Sequence, residues 1–212
     1  TARRVVEGDK FLRQGMFKGW KPMLLLGTDV HHATLGIIGF GNIGRAVARR
    51  AIGFDMKVIY YSAHRAPREL ERQLNAEYRL LDDLLKEADF ISIHVPLTKE
   101  TRHLIGEREL KMMKHEAYLI NTARGPIVDE KALAKALKEG WIRGAGLDVF
   151  EREPEVEPEL LELDNVILLP HLGSASYATR AKMATMAAEN VLKALKGEVP
   201  PNLVNREVAK YQ

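Results

Sequence analysis

The chain has 212 residues and is 46% hydrophobic, enough for one large domain or two small ones around a substantial core. No apolar run approaches the roughly 20 residues of a membrane span, the opening residues lack the charged-then-apolar pattern of a signal peptide, and the absence of cysteine excludes disulfides and thiolate metal sites. Net charge is +3, from 32 basic and 29 acidic residues that interleave instead of forming a basic stripe, which argues against nucleic acid and suits an anionic small ligand.

Residues 1–17 carry an amphipathic helical pattern with no strand before it, and residues 19–32, "GWKPMLLLGTDVHH", read as a loop holding Trp20, Met23 and three leucines. Apolar runs of strand length then follow at 34–39, 56–61, 89–95, 117–121, 145–149 and 165–169. Most are rich in β-branched residues and lack polar alternation, as strands buried on both faces do. Helical patterns separate them. Residues 43–52 place Ile43, Val47 and Ala51 on one stripe, 80–87 and 108–114 follow, and 129–139 has Asp129 as N-cap and Gly140 as its stop. A long helix pattern covers 174–196 before "GEVPPN". This alternation predicts an α/β fold, a doubly wound parallel sheet of Rossmann type with flanking N- and C-terminal helices. Three regions are expected: 1–30 as a connecting helix and arm, 31–173 as a dinucleotide-binding domain, and 174–212 as a C-terminal helix and tail. The apolar end segments need cover, from their own domain, another subunit or a further domain.

"LGIIGFGNIGRAVARR" is the first segment with chemistry in it. Gly39, Gly41 and Gly44 follow an apolar run and open a helical pattern, the context a dinucleotide fingerprint requires. The first glycine permits the tight turn, the second lets backbone approach a pyrophosphate, and the third lets helix pack on strand. The pyrophosphate then sits on backbone N–H groups near Asn42 and Ile43. An NAD site usually has Asp or Glu about 20 residues on to hold the ribose hydroxyls. Here "YYSAHR" offers Ser62, His64 and Arg65 instead, with Arg68 in reach, so NADP(H) is favoured over NAD(H).

Of seven histidines, His94 in "FISIHVP" and His171 in "VILLPHLGSAS" end apolar runs, where ligands of open α/β sheets bind. Sequence logic alone leaves both open as catalytic groups. Arg124, in a turn after a strand, suits bidentate binding of a carboxylate. Asp148 stands at a strand end, with Glu151 and Glu153 in the acidic loop beyond. No metal site is expected.

"GFGNIG", "SIHVPLT", "LINTARGPIVDE", "GLDVFEREP" and "LPHLGSAS", in this order, strongly resemble the D-isomer-specific 2-hydroxyacid dehydrogenases, most of all the glyoxylate/hydroxypyruvate reductase branch and its archaeal members. The resemblance spans nearly the whole chain. It implies that Arg124 binds substrate, that His171 donates the proton, and that Glu153 is the acidic partner of that histidine. It implies that Asp148 orients the nicotinamide carboxamide and that Pro96, Thr122, Ala123 and Gly173 approach the cofactor. The expected reaction is NADPH-dependent reduction of a small 2-oxo acid to the 2-hydroxy acid, in the cytoplasm. A carboxylate beside His171 favours its imidazolium, whereas a helix starting at Ser174 disfavours it. Family members begin with a substrate domain, so this chain is expected to be the cofactor-binding portion, inactive alone. The Trp20 loop resembles the family's dimer-forming arm and predicts a homodimer. The family's corepressor relatives share these motifs, so a dinucleotide-sensing module without turnover is the alternative reading.

Overall fold

The computed structural model describes residues 1–207. Seven strands, β1 (Thr34–Ile38), β2 (Lys57–Tyr61), β3 (Ala76–Tyr78), β4 (Phe90–Ile93), β5 (Tyr118–Asn121), β6 (Gly144–Leu147) and β7 (Val166–Leu168), form one sheet. Their order is β3-β2-β1-β4-β5-β6-β7, with every neighbouring pair parallel. Strands run outward in both directions from β1 and β4, which makes the gap between these two the topological switch point of a doubly wound sheet. The helices are α1 (Val5–Arg13), α2 (Asn42–Ala51), α3 (Arg68–Leu74), α4 (Leu81–Glu87), α5 (Glu107–Met112), α6 (Glu130–Lys138), α7 (Pro158–Leu161) and α8 (Tyr177–Leu195). The chain divides into two units, Thr1–Pro170 with the sheet and α1–α7, and His171–Gln212 with α8.

Both faces of the sheet are covered, which is why its strands read as unbroken apolar runs. Ile38, Ile59, Ile91 and Ile93 pack on one face with Leu84, Leu110 and Leu133 from α4, α5 and α6. Leu35, Ile37, Val58 and Tyr60 pack on the other with Ala48 and Ala51 of α2 and Leu74 of α3. Successive residues of one strand thus enter opposite cores.

The predicted strands all form with their ends shifted by one or two residues: most are trimmed where end residues leave the ladder for loops, and β6 begins one residue early, at Gly144. Asp129 caps α6, its side chain accepting the Ala132 N–H at 3.0 Å, and Gly140 ends it at φ 71°. Four details differ from expectation. The first helix covers only Val5–Arg13, because Gly15 takes a left-handed conformation (φ 70°) that ends it. The buried face of α2 is Gly44, Ala48 and Ala51, while Ile43 is 67% exposed, because close helix–strand packing selects small residues over large ones. The pair α3 and β3 appears between 68 and 78, where the sequence "RELERQL" shows too few apolar residues to announce a helix. The last helix starts at Tyr177, with Ser176 accepting the Thr179 N–H as its cap. It therefore begins six residues after His171.

Candidate active site

The register places one row of residues along the carboxyl edge of the sheet: Tyr61, Ile38, Ile93, Asn121, Leu147 and Leu168. Several candidate residues of the first unit follow this row directly. Ser62 comes after β2, Gly39 after β1, His94 to Pro96 after β4, Thr122 to Arg124 after β5, and Asp148 after β6. Separate stretches of sequence thereby converge on the edge where open parallel sheets bind ligands. A cavity of about 380 Å³ lined by Arg4, Tyr118, Arg143 and Asp164 lies by the opposite, amino-terminal ends of the strands and has no part in this arrangement.

At the switch point, Gly39 has φ 98°, and a Cβ there would stand 2.6 Å from the His94 carbonyl carbon. A Cβ on Gly44 would stand 2.1 Å from the Gly39 carbonyl oxygen. Both glycines are therefore demanded by the protein's own packing. Gly41 is different: a Cβ there meets nothing within 4 Å, and its φ of −77° suits any residue. It caps α2 with no side-chain hydrogen bond, so the first N–H groups of α2, at Asn42 and Ile43, remain for an acceptor. This cradle fits a dinucleotide pyrophosphate. Gly41→Ala is accordingly expected to change stability by less than about 1 kcal/mol and yet to weaken dinucleotide binding. Thermal denaturation beside calorimetric titration with NADP+ checks both halves, and unchanged affinity would remove Gly41 from the site.

His94 lies half-buried at the tip of β4, with Nε2 and the Ser92 Oγ 2.8 Å apart. Burial lowers its pKa, and its backbone N–H donates to the Ile38 carbonyl at 2.7 Å. Its ring is turned back onto its strand. Pro96 offers its carbonyl to the Thr101 hydroxyl at 2.7 Å, which folds the loop after β4.

Arg124 is exposed, and its shape is set by Asn121, a residue the motif reading passed over. Asn121 is 1% exposed at the end of β5. Its Oδ1 accepts the Ala123 N–H at 3.1 Å and its Nδ2 donates to the Arg124 carbonyl at 2.9 Å, closing the Thr122–Arg124 turn. The Arg124 Nη1 donates to the Ala123 carbonyl at 2.6 Å. The signal was present: an amide ending a buried apolar strand needs partners. Glu130 was missed likewise. It is 4% exposed at the start of α6, and its Oε1 accepts the Glu151 N–H at 2.5 Å. Burial pushes its pKa up, opposed by backbone hydrogen bonds from Glu151 and Glu157. His103 also holds Glu151, through Nε2 and Oε1. The loop bearing Glu153 is thus tied to the helix that follows Arg124. Glu153 itself accepts the Phe150 N–H at 3.1 Å. Asp148 is 5% exposed, and its N–H donates to the Asn121 carbonyl at 3.0 Å. His171 and Gly173 belong to the second unit, where His171 has φ 53°.

The tip of β2 holds the other missed carboxylate. Arg65, read from sequence as a loop cation beside Ser62 and His64, forms a two-point pair with Glu71 of α3. Nε to Oε1 is 2.8 Å and Nη2 to Oε2 is 2.9 Å. The Tyr60 hydroxyl donates to Glu71 Oε1 at 2.7 Å and accepts the Ala66 N–H at 2.9 Å. Arg65 first, then Tyr60, hold the Glu71 carboxyl below the usual range, while burial and then Glu71 push Tyr60 up to about 12. Among the described residues, no group of three or more His, Asp or Glu is placed to hold a metal ion, and no helix is long and apolar enough to cross a membrane.

Comparison with known proteins points to one family. The family model for the D-isomer specific 2-hydroxyacid dehydrogenase NAD binding domain matches residues 1–173. A glyoxylate reductase of Thermococcus litoralis is 58% identical over 212 residues, covering 98% of this chain and 64% of the relative. A crystal structure of a Thermus thermophilus protein superposes with a TM-score of 0.90 at 48% identity, over 96% of this chain and 63% of that one. The glyoxylate reductase structure from Paecilomyes thermophila gives 0.83 at 43% identity, over 93% of this chain and 59% of that one. The chain spans about 64% of the length of the curated relatives it matches.

Proposed function

This chain belongs to the D-isomer specific 2-hydroxyacid dehydrogenase family, through its NAD binding domain, and from that premise we propose that the full-length enzyme reduces glyoxylate or hydroxypyruvate to the 2-hydroxy acid, with NADPH preferred over NADH. The observation that carries this reading is the carboxyl-edge row, which gathers the glycine turn, the Arg124 turn, Asp148 and the Glu153 loop on one side of one sheet. The bound dinucleotide supplies the hydride. Gly39, Gly41, Asn42 and Ile43 receive its pyrophosphate, Ser62, His64 and Arg65 its 2′-phosphate, Asp148 orients its nicotinamide carboxamide, and Pro96, Thr122, Ala123 and Gly173 also approach it.

Arg124 binds the substrate carboxylate and draws electron density from the carbonyl, which prepares the carbon for reduction. His171 donates a proton to the oxygen as it becomes an alkoxide, and Glu153 favours the imidazolium that makes this possible. Residues 1–30 act as connecting helix and arm, and the C-terminal helix returns to the substrate domain; the last residues of the expected 174–212 region, 208–212, lie outside the described residues. Trp20 and Met23, 82% and 75% exposed, suit burial in a homodimer through that arm. A cysteine-free chain fits the reducing cytoplasm.

The test is turnover by the full-length enzyme on both 2-oxo acids with each cofactor. Reduction with a higher kcat/KM for NADPH is expected. Preference for NADH would return Arg65 to an ordinary surface role, and no turnover on either acid would reject the reductase assignment.

A further inference from the structure

We propose that Glu71 is a positioning residue for the cofactor's 2′-phosphate: by gripping Arg65 at two points it fixes which guanidinium edge is offered at the tip of β2, and so sets the preference for phosphorylated dinucleotides. This rests on the NADPH reading above.

Glu71 is only 9% exposed. A carboxylate at that depth is costly unless it is paired and hydrogen-bonded, and here three donors satisfy it. The grip uses Nε and Nη2 of Arg65, which leaves Nη1 outside the pair. The Tyr78 ring lies 5.6 Å from the guanidinium carbon, so the side chain is held from a second direction. Arginine has many rotamers, and a fixed one loses less entropy when a ligand arrives.

The grip is also connected to the phosphate turn. Tyr60 stacks on Phe40 with centroids 3.9 Å apart, and Phe40 is the residue between Gly39 and Gly41. Phe40, Tyr60, Glu71 and Arg65 therefore form one contact chain from the pyrophosphate cradle to the ribose end. A second influence opposes positioning, because the Glu71 charge repels a phosphate. Exposure decides between them. The Arg65 side chain is 55% exposed and that of Glu71 11%, so an incoming anion meets the cation first. Glu71 has its charge engaged in hydrogen bonds that an anion need not break.

The experiment is calorimetric titration of the intact chain with NADP+, NAD+ and 2′,5′-ADP, for wild type, Glu71→Gln, Arg65→Ala and the double variant, with thermal denaturation alongside. Glu71→Gln is expected to weaken NADP+ and 2′,5′-ADP by about 3- to 10-fold and NAD+ by less than about 2-fold. In the Arg65→Ala background it is expected to leave the NADP+/NAD+ ratio unchanged. Equal weakening of NAD+ would reduce Glu71 to a structural role. Unchanged or tighter NADP+ binding would show that repulsion wins. Either result overturns the proposal while the NADPH reading stands, whereas a wild type without preference for NADP+ overturns both. Tyr60→Phe removes one anchor of Glu71 and is expected to act in the same direction with smaller amplitude. It decides the matter where Glu71→Gln does not fold.

Discussion

Gly125→Ala is expected to lower stability by about 3–5 kcal/mol, among the largest losses a single substitution produces. A Cβ at this position would lie 1.9 Å from both the carbonyl carbon and oxygen of Phe150 and 2.4 Å from the Glu151 nitrogen. All three are backbone atoms, so no side chain can swing aside. Phe150 is buried and Glu151 is tied to Glu130 and His103, so the loop cannot retreat cheaply. The Arg124 turn is equally fixed by Asn121. At roughly 2–4 °C per kcal/mol for a chain of this size, the melting temperature falls by about 6–20 °C. A loss under about 2 °C would mean that the two segments can separate, and that the Arg124 turn and the Glu153 loop are not locked together. Gly41→Ala is the matched control, because open space faces its Cβ.

His171→Ala in the full-length enzyme is expected to lower kcat by about 10²- to 10⁴-fold, the range of a lost general acid, with NADP+ affinity unchanged. In the proposed reaction the alkoxide formed on hydride arrival then lacks its proton source, while the glycine turn is untouched. Glu153→Gln tests the proposed partner of that donor. A carboxylate beside an imidazole favours its protonated form, and an amide in the same place does not. The pH profile for reduction is expected to move to lower pH, with a smaller loss of kcat than in His171→Ala. A full-rate His171→Ala enzyme would reassign the proton donor, with His94 next in line. An unmoved profile in Glu153→Gln would break the proposed pairing. His94 is the weaker candidate because its ring nitrogen lies 2.8 Å from the Ser92 Oγ on its own strand.

Strand and helix order was legible from the chain because strands buried on both faces leave unbroken apolar runs, and the parallel α/β architecture follows from their alternation. The glycine turn, the Arg124 turn and the acidic loop were legible for a related reason. Each directly follows or extends from a strand end, and the carboxyl edge of such a sheet is where those ends meet. The membership of α2's buried face was not legible. Of the expected stripe Ile43, Val47 and Ala51, Val47 and Ala51 pack on the core but Ile43 is exposed, and close contact with β1 adds Gly44 and Ala48. Nor were α3 and β3, since a seven-residue charged helix and a three-residue strand owe their order to the sheet that receives them.

The carboxylates and amides that shape the site divide in the same way. Local sequence names Arg124, Glu153 and Arg65, whose residue types stand out in short motifs. Asn121, Glu130 and Glu71 act across distances of 3 to 21 residues, through hydrogen bonds made only after the chain has folded. Periodicity and turn chemistry are properties of neighbours along the chain, so they determine the kind of fold and the edge at which chemistry gathers. Which buried polar group steadies which exposed one is a property of neighbours in space. Packing alone decided it, because a buried carboxylate is tolerable only where the completed fold supplies its donors.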